Sequence, residues 1–185
     1  YLEVVTASGR LRFVRAADGS VVHETSVPGV ETAQVVAVSR TDSDHLAVMT
    51  TTNQLVVVKV RYPPAHKRTT DLPRVETRGQ WQLPATNAPI RMLSTSTTYG
   101  DYNTAVYATE DTGPMLFRVA TDSNPFSPTP EITVHTALPL QHGGDPTAIA
   151  LSRDGIHAYV STATGYLYLW DLRDTNTPRL IDAAR

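Results

Sequence analysis

The sequence contains no cysteine. A disulfide framework, a thiolate-bound metal and a cysteine nucleophile are therefore excluded. Helix signals are also scarce, because no segment holds an apolar 3.6-residue period across three turns. No apolar run approaches the roughly 20 residues that a membrane-spanning helix needs. The opening Tyr1-Leu2-Glu3-Val4-Val5 lacks the basic-then-apolar order of a signal peptide. There is no Asn-x-Ser/Thr sequon, which leans away from a glycosylated secreted protein. Together these absences set an intracellular location as the expectation. Excess charge of one sign is missing too: 16 Lys and Arg face 18 Asp and Glu, for a net charge of -2. That balance argues against a globally basic nucleic-acid binder but leaves room for a local basic patch.

What is present is strand chemistry. The 185 residues are 41% hydrophobic, enough for one ordinary domain with a core or two small ones. Thirteen prolines punctuate short Val, Thr, Tyr and Leu runs. Threonine supplies roughly one residue in seven. β-Branched and aromatic side chains suit a pleated surface, and the turn residues between runs mark strand ends.

The runs repeat. In the last unit, residues 147–152, 157–162 and 166–171 are three strands, split by Arg153-Asp154-Gly155 and Ala163-Thr164-Gly165. A short fourth strand follows at 179–181. In the second unit the strands fall at 34–39, 45–51, 54–60 and 80–83. There Val38-Ser39-Arg40 aligns with Leu151-Ser152-Arg153 of the last unit. In the third unit they fall at 90–96, 104–109, 115–119 and 131–136. The first unit supplies three strands, at 2–6, 10–15 and 21–25. The anchor turns Gly9, Asn53, Gly113 and Gly165 lie 44, 60 and 52 residues apart. Four short antiparallel strands in about 40–45 residues form one blade of a β-propeller, and the wider spacings mark insertions.

The final unit resembles a WD40 repeat. Ser152-Arg153-Asp154-Gly155 stands where that family often carries Ser-Pro-Asp-Gly, and Tyr168-Leu169-Trp170-Asp171 matches its closing aromatic-Asp signature. His142-Gly143 falls near the family's Gly-His position. The other units end Phe13-Val14-Arg15, Val58-Lys59-Val60 and Phe117-Arg118-Val119, without the Trp-Asp pair. The resemblance implies a structural hydrogen-bond tetrad in which His142, Thr162 and Trp170 fill three roles. Thr164 stands at its Asp position. It also implies a rigid, non-catalytic platform for protein–protein contacts. The expected fold is all-β, with blades at 1–28, 29–86, 87–141 and 142–185, the first lacking one strand. Closed propellers have about four to eight blades. The expectation is therefore a portion of a larger ring, with the rest supplied by sequence outside these residues or by a partner chain.

Candidate contact residues cluster in two insertions, both between third and fourth strands. Residues 61–78 hold Arg61, Tyr62, His66, Lys67, Arg68, Arg74 and Arg78. Such a basic arm can meet phosphate or an acidic partner, or can simply be a solvated loop, with Asp71 and Glu76 diluting its charge. Residues 122–130 hold Phe126 among prolines, which favour an extended conformation that a partner can read. Trp81 and Trp170 read as packing residues with satisfied N–H groups. The spacing of His135, His142 and Asp145 fits no helical zinc pattern. No nucleophile elbow, Walker A loop or cofactor motif is present, and no catalytic residue is nominated.

Two other readings stay open. His157-Ala158-Tyr159-Val160-Ser161-Thr162 is also similar to the repeats of lactonase-like propellers, which line a channel with acidic and metal-binding residues. Convergent Glu, Asp, Asn or His in the channel separates that reading from the platform; Thr, Ser and aliphatics favour the platform. The third reading is a component of an RNA–protein assembly that uses the basic loop. It predicts nucleic-acid binding that weakens steeply with added salt and is lost when Lys67 and Arg68 become Ala. Salt-insensitive binding in a filter or anisotropy assay removes it.

Overall fold

The hairpin between second and third strands recurs with one local design. Thr6-Ala7-Ser8-Gly9-Arg10, Thr50-Thr51-Thr52-Asn53-Gln54 and Thr162-Ala163-Thr164-Gly165-Tyr166 each close a tight turn. In each, the threonine hydroxyl accepts the N–H four residues on, at 3.1 Å from Arg10, 3.2 Å from Gln54 and 3.3 Å from Tyr166. It also meets the hydroxyl two residues on, at 2.9–3.0 Å. The fourth residue takes a left-handed φ of 74° at Gly9, 59° at Asn53 and 86° at Gly165. Glycine and asparagine tolerate that conformation; β-branched residues do not.

The computed structural model describes residues 1–40, 44–63, 72–83, 90–98, 102–109, 113–120, 132–174 and 176–185. They form fifteen strands in four antiparallel sheets. The first sheet is β1 (Leu2–Val5), β2 (Arg10–Val14) and β3 (Val21–Ser26). The second is β4 (Val35–Arg40), β5 (His45–Thr50), β6 (Gln54–Arg61) and β7 (Arg74–Gln82). The third is β8 (Ile90–Thr98), β9 (Tyr102–Thr109), β10 (Gly113–Ala120) and β11 (Ile132–Ala137). The fourth is β12 (Pro146–Leu151), β13 (His157–Thr162), β14 (Leu167–Asp171) and β15 (Arg179–Ala184). Each sheet is a simple meander in chain order. The all-β expectation of four-stranded units with an incomplete first one is met.

Packing follows from side-chain alternation. In β5, Leu46 and Val48 face the first sheet, while Ala47 and Met49 face the third. In β6, Val56, Val58 and Val60 join the first group, and Leu55 and Val57 the second. The second sheet is therefore apolar on both faces, and its central strands read as continuous aliphatic runs. Three clusters join the sheets in series. Leu11, Phe13, Val27 and Val30 cover one side of the second sheet. Ile90, Ala105 and Tyr107 of the third sheet cover the other. Val106, Leu116 and Leu138 then pack on Ala158, Val160, Tyr168 and Trp170 of the fourth. Among the described residues the four sheets do not close into a ring.

The first strands line up side by side, β4 beside β8 and β8 beside β12. Each carries a bulge at the same place, between Val35 and Ala37, Ile90 and Met92, and Pro146 and Ala148. Serine hydroxyls join them. Ser39 Oγ accepts the Thr95 N–H at 3.0 Å, and Ser94 Oγ accepts the Leu151 N–H at 2.9 Å. Register places Ser39 opposite Ala47, Ser94 opposite Val106 and Ala150 opposite Tyr159. Ser39 therefore corresponds to Ser94 and Ala150. The sequence alignment of Ser39 with Ser152 is two residues out, because hydrogen-bond register, not the shared Ser-Arg dipeptide, fixes which positions correspond.

Two further boundaries depart from expectation. The fourth strand of the second sheet starts at Arg74, not Gln80, and pairs Arg61 with Arg74. Arg61 and Arg74 are thus strand residues, and Arg78 sits at a bulge between the Val57 and Val58 pairings. Charges there read as loop in the sequence, but an outer strand with one free edge accommodates them. Within that strand Gly79 is required by packing, because a Cβ there would overlap the Trp81 ring. At the end of the chain, the ladder of β15 continues through Asp182, Ala183 and Ala184.

Leu55 is 1% exposed between the second and third sheets. Leu55→Ala is expected to lower stability by about 2–5 kcal/mol, read as a drop in the urea midpoint with the slope unchanged. A loss below about 1 kcal/mol would show that the two sheets do not depend on this contact.

Candidate interaction surface

A meander places the first-to-second and third-to-fourth connections at one end of every sheet and the second-to-third hairpins at the other. The hairpin end carries the Thr and Ser turns described above. The opposite end carries charge. Lys59 Nζ lies 2.9 Å from Asp44 and His45 Nδ1 3.3 Å from the same carboxylate. Arg61 Nε donates to Glu76 at 2.9 Å across the β6–β7 pair. Arg15 donates to Asp18 at 3.0 Å, and Arg173 grips Asp171 through Nε and Nη2. Asp18 also accepts the N–H and hydroxyl of Ser20, and these bonds, with Arg15, hold its carboxyl down to about 2. Asp171 is held well below the usual carboxylate range by the side chain and then the backbone N–H of Arg173. Solvent-exposed pairs such as Arg15–Asp18 and Arg61–Glu76 contribute little to stability.

One cluster at this end is better covered. Glu3 of β1 accepts from Arg40 Nη2 at 3.0 Å and Nη1 at 3.2 Å, and from the Tyr62 hydroxyl. Its side chain is only 7% exposed. Tyr62 also meets the Phe13 ring edge-on at 6.0 Å between centroids. Burial, reinforced by the bond to Glu3, pushes the Tyr62 phenol up to about 12. These three residues come from β1, the end of β4 and the segment after β6. They tie the first sheet to the second at the rim.

The sequence-nominated contact residues divide accordingly. Arg61, Tyr62 and Arg74 share this rim, Arg61 and Arg74 within strands. His66, Lys67, Arg68 and Phe126 lie outside the described residues. Both insertions that hold them join a third strand to a fourth, from β6 to β7 and from β10 to β11. Sequence reasoning missed Glu3 and Arg40. They lie 37 residues apart, with Tyr62 59 residues from Glu3, and no local pattern connects them.

No family model matches the chain, and no curated protein matches it significantly. Solved structures do resemble it. Chaetomium thermophilum Sqt1, bound to the N-terminus of the ribosomal protein L10, aligns with a TM-score of 0.56 at 19% identity, over 92% of this chain and 40% of that one. The WD40 domain of Toxoplasma gondii coronin aligns with a TM-score of 0.60 at 12% identity, over 99% and 42%. KlAtg21, in complex with the coiled coil of AgAtg16, aligns with a TM-score of 0.55 at 13% identity, over 96% and 49%. The fold is a WD40-like β-propeller. The chain spans between two fifths and half the length of these neighbours.

The WD40-like fold is built here without the tetrad that the resemblance implied. The Trp170 indole N–H is buried, and no described residue accepts it; the same holds for Trp81. Both tryptophans pack as expected, but their N–H groups are not satisfied as expected. The Thr162 hydroxyl meets Thr164 and the Tyr166 N–H instead of a histidine. His142 is exposed and stacks on Tyr166 at 4.5 Å, while its backbone N–H donates to the Tyr168 hydroxyl at 3.0 Å. The physical reason is local. Gly144 takes a φ of 95°, and a Cβ on it would lie 2.5 Å from Thr164 Oγ1. With Thr164 at the Asp position, the carboxylate that would engage a histidine is missing, and stacked rings hold the loop. Among the described residues no group of His, Asp and Glu could hold a metal ion.

The alkaline limb tests the Glu3–Arg40–Tyr62 cluster. Tyr62 should ionise near pH 12 in a spectrophotometric titration, against an ordinary value of 10, and among the described residues buried Tyr107 is also a late phenol. A raised folded pKa means that this contribution is intact below pH 10 and is lost between 10 and 12, because the unfolded chain releases the proton first. Tyr62→Phe should remove one late ionisation. If Tyr62 titrates near 10, the cluster is not formed.

Proposed function

We propose that the chain is a non-catalytic propeller scaffold that binds protein partners through its charged rim, as one portion of a larger protein or complex. Each sheet is then one blade, at 1–28, 29–86, 87–141 and 142–185. The observation that carries this reading is the chemistry of the first strands. β4, β8 and β12 read Val-Val-Ala-Val-Ser-Arg, Ile-Arg-Met-Leu-Ser-Thr-Ser-Thr-Thr and Pro-Thr-Ala-Ile-Ala-Leu. These strands would line a propeller channel, and they bring hydroxyls, aliphatics and two arginines to it. A lactonase-like site needs convergent carboxylates or imidazoles there, so the pattern favours the platform. Two of the similar structures are complexes with protein segments, which supports a protein partner. Arg61, Tyr62 and Arg74 form the contact surface together with His66, Lys67, Arg68 and Phe126 of the two insertions. The scaffold supplies preorganised surface, and the exposed cations steer association.

The test is a charge reversal at the rim. A partner recovered by affinity capture is purified and its binding measured against the chain and against Arg61→Glu/Arg74→Glu. The double variant should bind about tenfold more weakly, chiefly through slower association, with its thermal unfolding unchanged. Equal affinity for the two proteins would move the contact surface elsewhere and sink the rim assignment.

A further inference from the structure

The gap between the second and third sheets and the gap between the third and fourth use corresponding positions but fill them differently. Register pairs Val35 with Thr50 and Ala37 with Met49 in the second sheet, and Ile90 with Thr109 and Met92 with Ala108 in the third. Pro146 pairs with Thr162 at the same place in the fourth. Ala37 therefore corresponds to Met92, Met49 to Ala108 and Ile90 to Pro146. Val36 and Arg91 are the extra residues of matching bulges, and a bulge re-aims the side chain it carries. In the first gap Met49 and Ile90 are core residues, and Val36 and Ala37 pack against the same cluster. Their counterparts Arg91, Met92, Ala108 and Pro146 take no part in the cluster that joins the third and fourth sheets.

Those four residues instead line a cavity of about 290 Å³, together with Thr109 and Asp145. Two truncations open it. Ala108 lacks the thioether arm that Met49 contributes to the first gap. The Pro146 ring folds back on its own backbone where Ile90 supplies a free branched chain. Ala108 and Thr109 are buried, and Met92, Ala108 and Pro146 make the walls apolar. Arg91 and Asp145 are exposed, so the cavity opens between a cation and a carboxylate. The Ala163 N–H donates to the Asp145 carbonyl at 2.9 Å, which fixes the chain at this point. Ligand sites span about 300–1,000 Å³, so a cavity at the lower edge of that range admits one small molecule and no large cofactor.

We propose that this cavity binds a free α-amino acid with an aliphatic or thioether side chain. The apolar part of the ligand is set by what fills the equivalent space in the first gap, the side chains of Met49 and Ile90. The charges select the rest. A lone carboxylate drawn to Arg91 is opposed by Asp145, and a lone ammonium drawn to Asp145 is opposed by Arg91. A zwitterion offers both signs on one carbon, its carboxylate to the Arg91 guanidinium and its ammonium to the Asp145 carboxylate, and leaves its side chain for the pocket. An internal residue of a polypeptide offers the side chain but neither backbone charge. The cavity lies at the hairpin end of the third sheet, opposite the Arg61–Arg74 contact surface, so it stands or falls independently of the rim assignment.

The probe is L-methionine, titrated into the 185-residue chain with the NMR shifts of Met92, Ala108 and Thr109 as the readout. Saturable one-to-one binding is expected, with a Kd of about a millimolar, as suits so few ligand atoms. N-acetyl-L-methionine keeps only the carboxylate and L-methionine amide only the ammonium, and each should bind about tenfold more weakly or worse. Arg91→Gln should weaken L-methionine about tenfold without weakening the amide, and Asp145→Asn should do so without weakening the N-acetyl form. Ala108→Met restores the side chain found at Met49 and should abolish binding with the thermal unfolding temperature unchanged or raised. The capped ligands test the site even where a variant fails to fold. No saturable shift up to the solubility limit of L-methionine overturns the inference. So does equal binding of N-acetyl-L-methionine amide, which carries neither charge, since the cavity would then be an anchor for a polypeptide side chain.

Discussion

The structure depends on burial of its sheets from both sides. Ala47, Val48, Met49 and Thr50 are each 0% exposed although they are consecutive in β5. Consecutive strand residues point to opposite faces, so a run of this kind is buried only if both faces are covered. No sheet here can satisfy that alone. The second sheet needs Leu11 and Phe13 on one side and Ile90 and Tyr107 on the other, and the third passes the same demand to the fourth. Serial stacking is the consequence, and each sheet's fit is a condition of its neighbours' stability.

That demand drives polar groups to the two ends of the strands. At the hairpin end, hydroxyls and left-handed residues absorb the backbone donors of the turns within the turns themselves. At the other end, cations and carboxylates pair in solvent. Between them, the first strands carry few side chains that need partners, and serine hydroxyls of one strand take N–H groups of the next. The outcome is a stiff body with chemistry confined to its ends. A body of that kind suits recognition, because little ordering is required at the moment of contact.

The same logic explains how the molecule departs from the WD40 pattern it resembles. The family's tetrad links a loop histidine to a turn carboxylate and an indole. Here the turn carries Thr164, the loop is held by His142 stacked on Tyr166, and the Tyr168 hydroxyl takes the loop N–H. Aromatic stacking and a backbone hydrogen bond secure the entry to β12 without a buried charge, which spares the sheet a desolvation cost.

Local chemistry made most of the strands legible. Gly9, Asn53, Gly113 and Gly165 mark turns because a left-handed φ requires such residues, and aliphatic alternation marks the strands between them. Charged strand residues were harder to see. Arg74 and Glu76 look like loop because hydropathy alone does not tell an outer strand from a solvated segment. The correspondence of Ser39 with Ser94 was hidden for a related reason: it is set by hydrogen-bond register, which a local residue pattern does not reveal. The Glu3–Arg40–Tyr62 cluster was invisible, since it arises from residues far apart in the chain. The amino-acid sequence by itself determined the strands, their order and their turns, because those follow from neighbours a few residues away. Only the tertiary structure decided which face meets which and where the charges converge, because those depend on how one sheet is seated against the next.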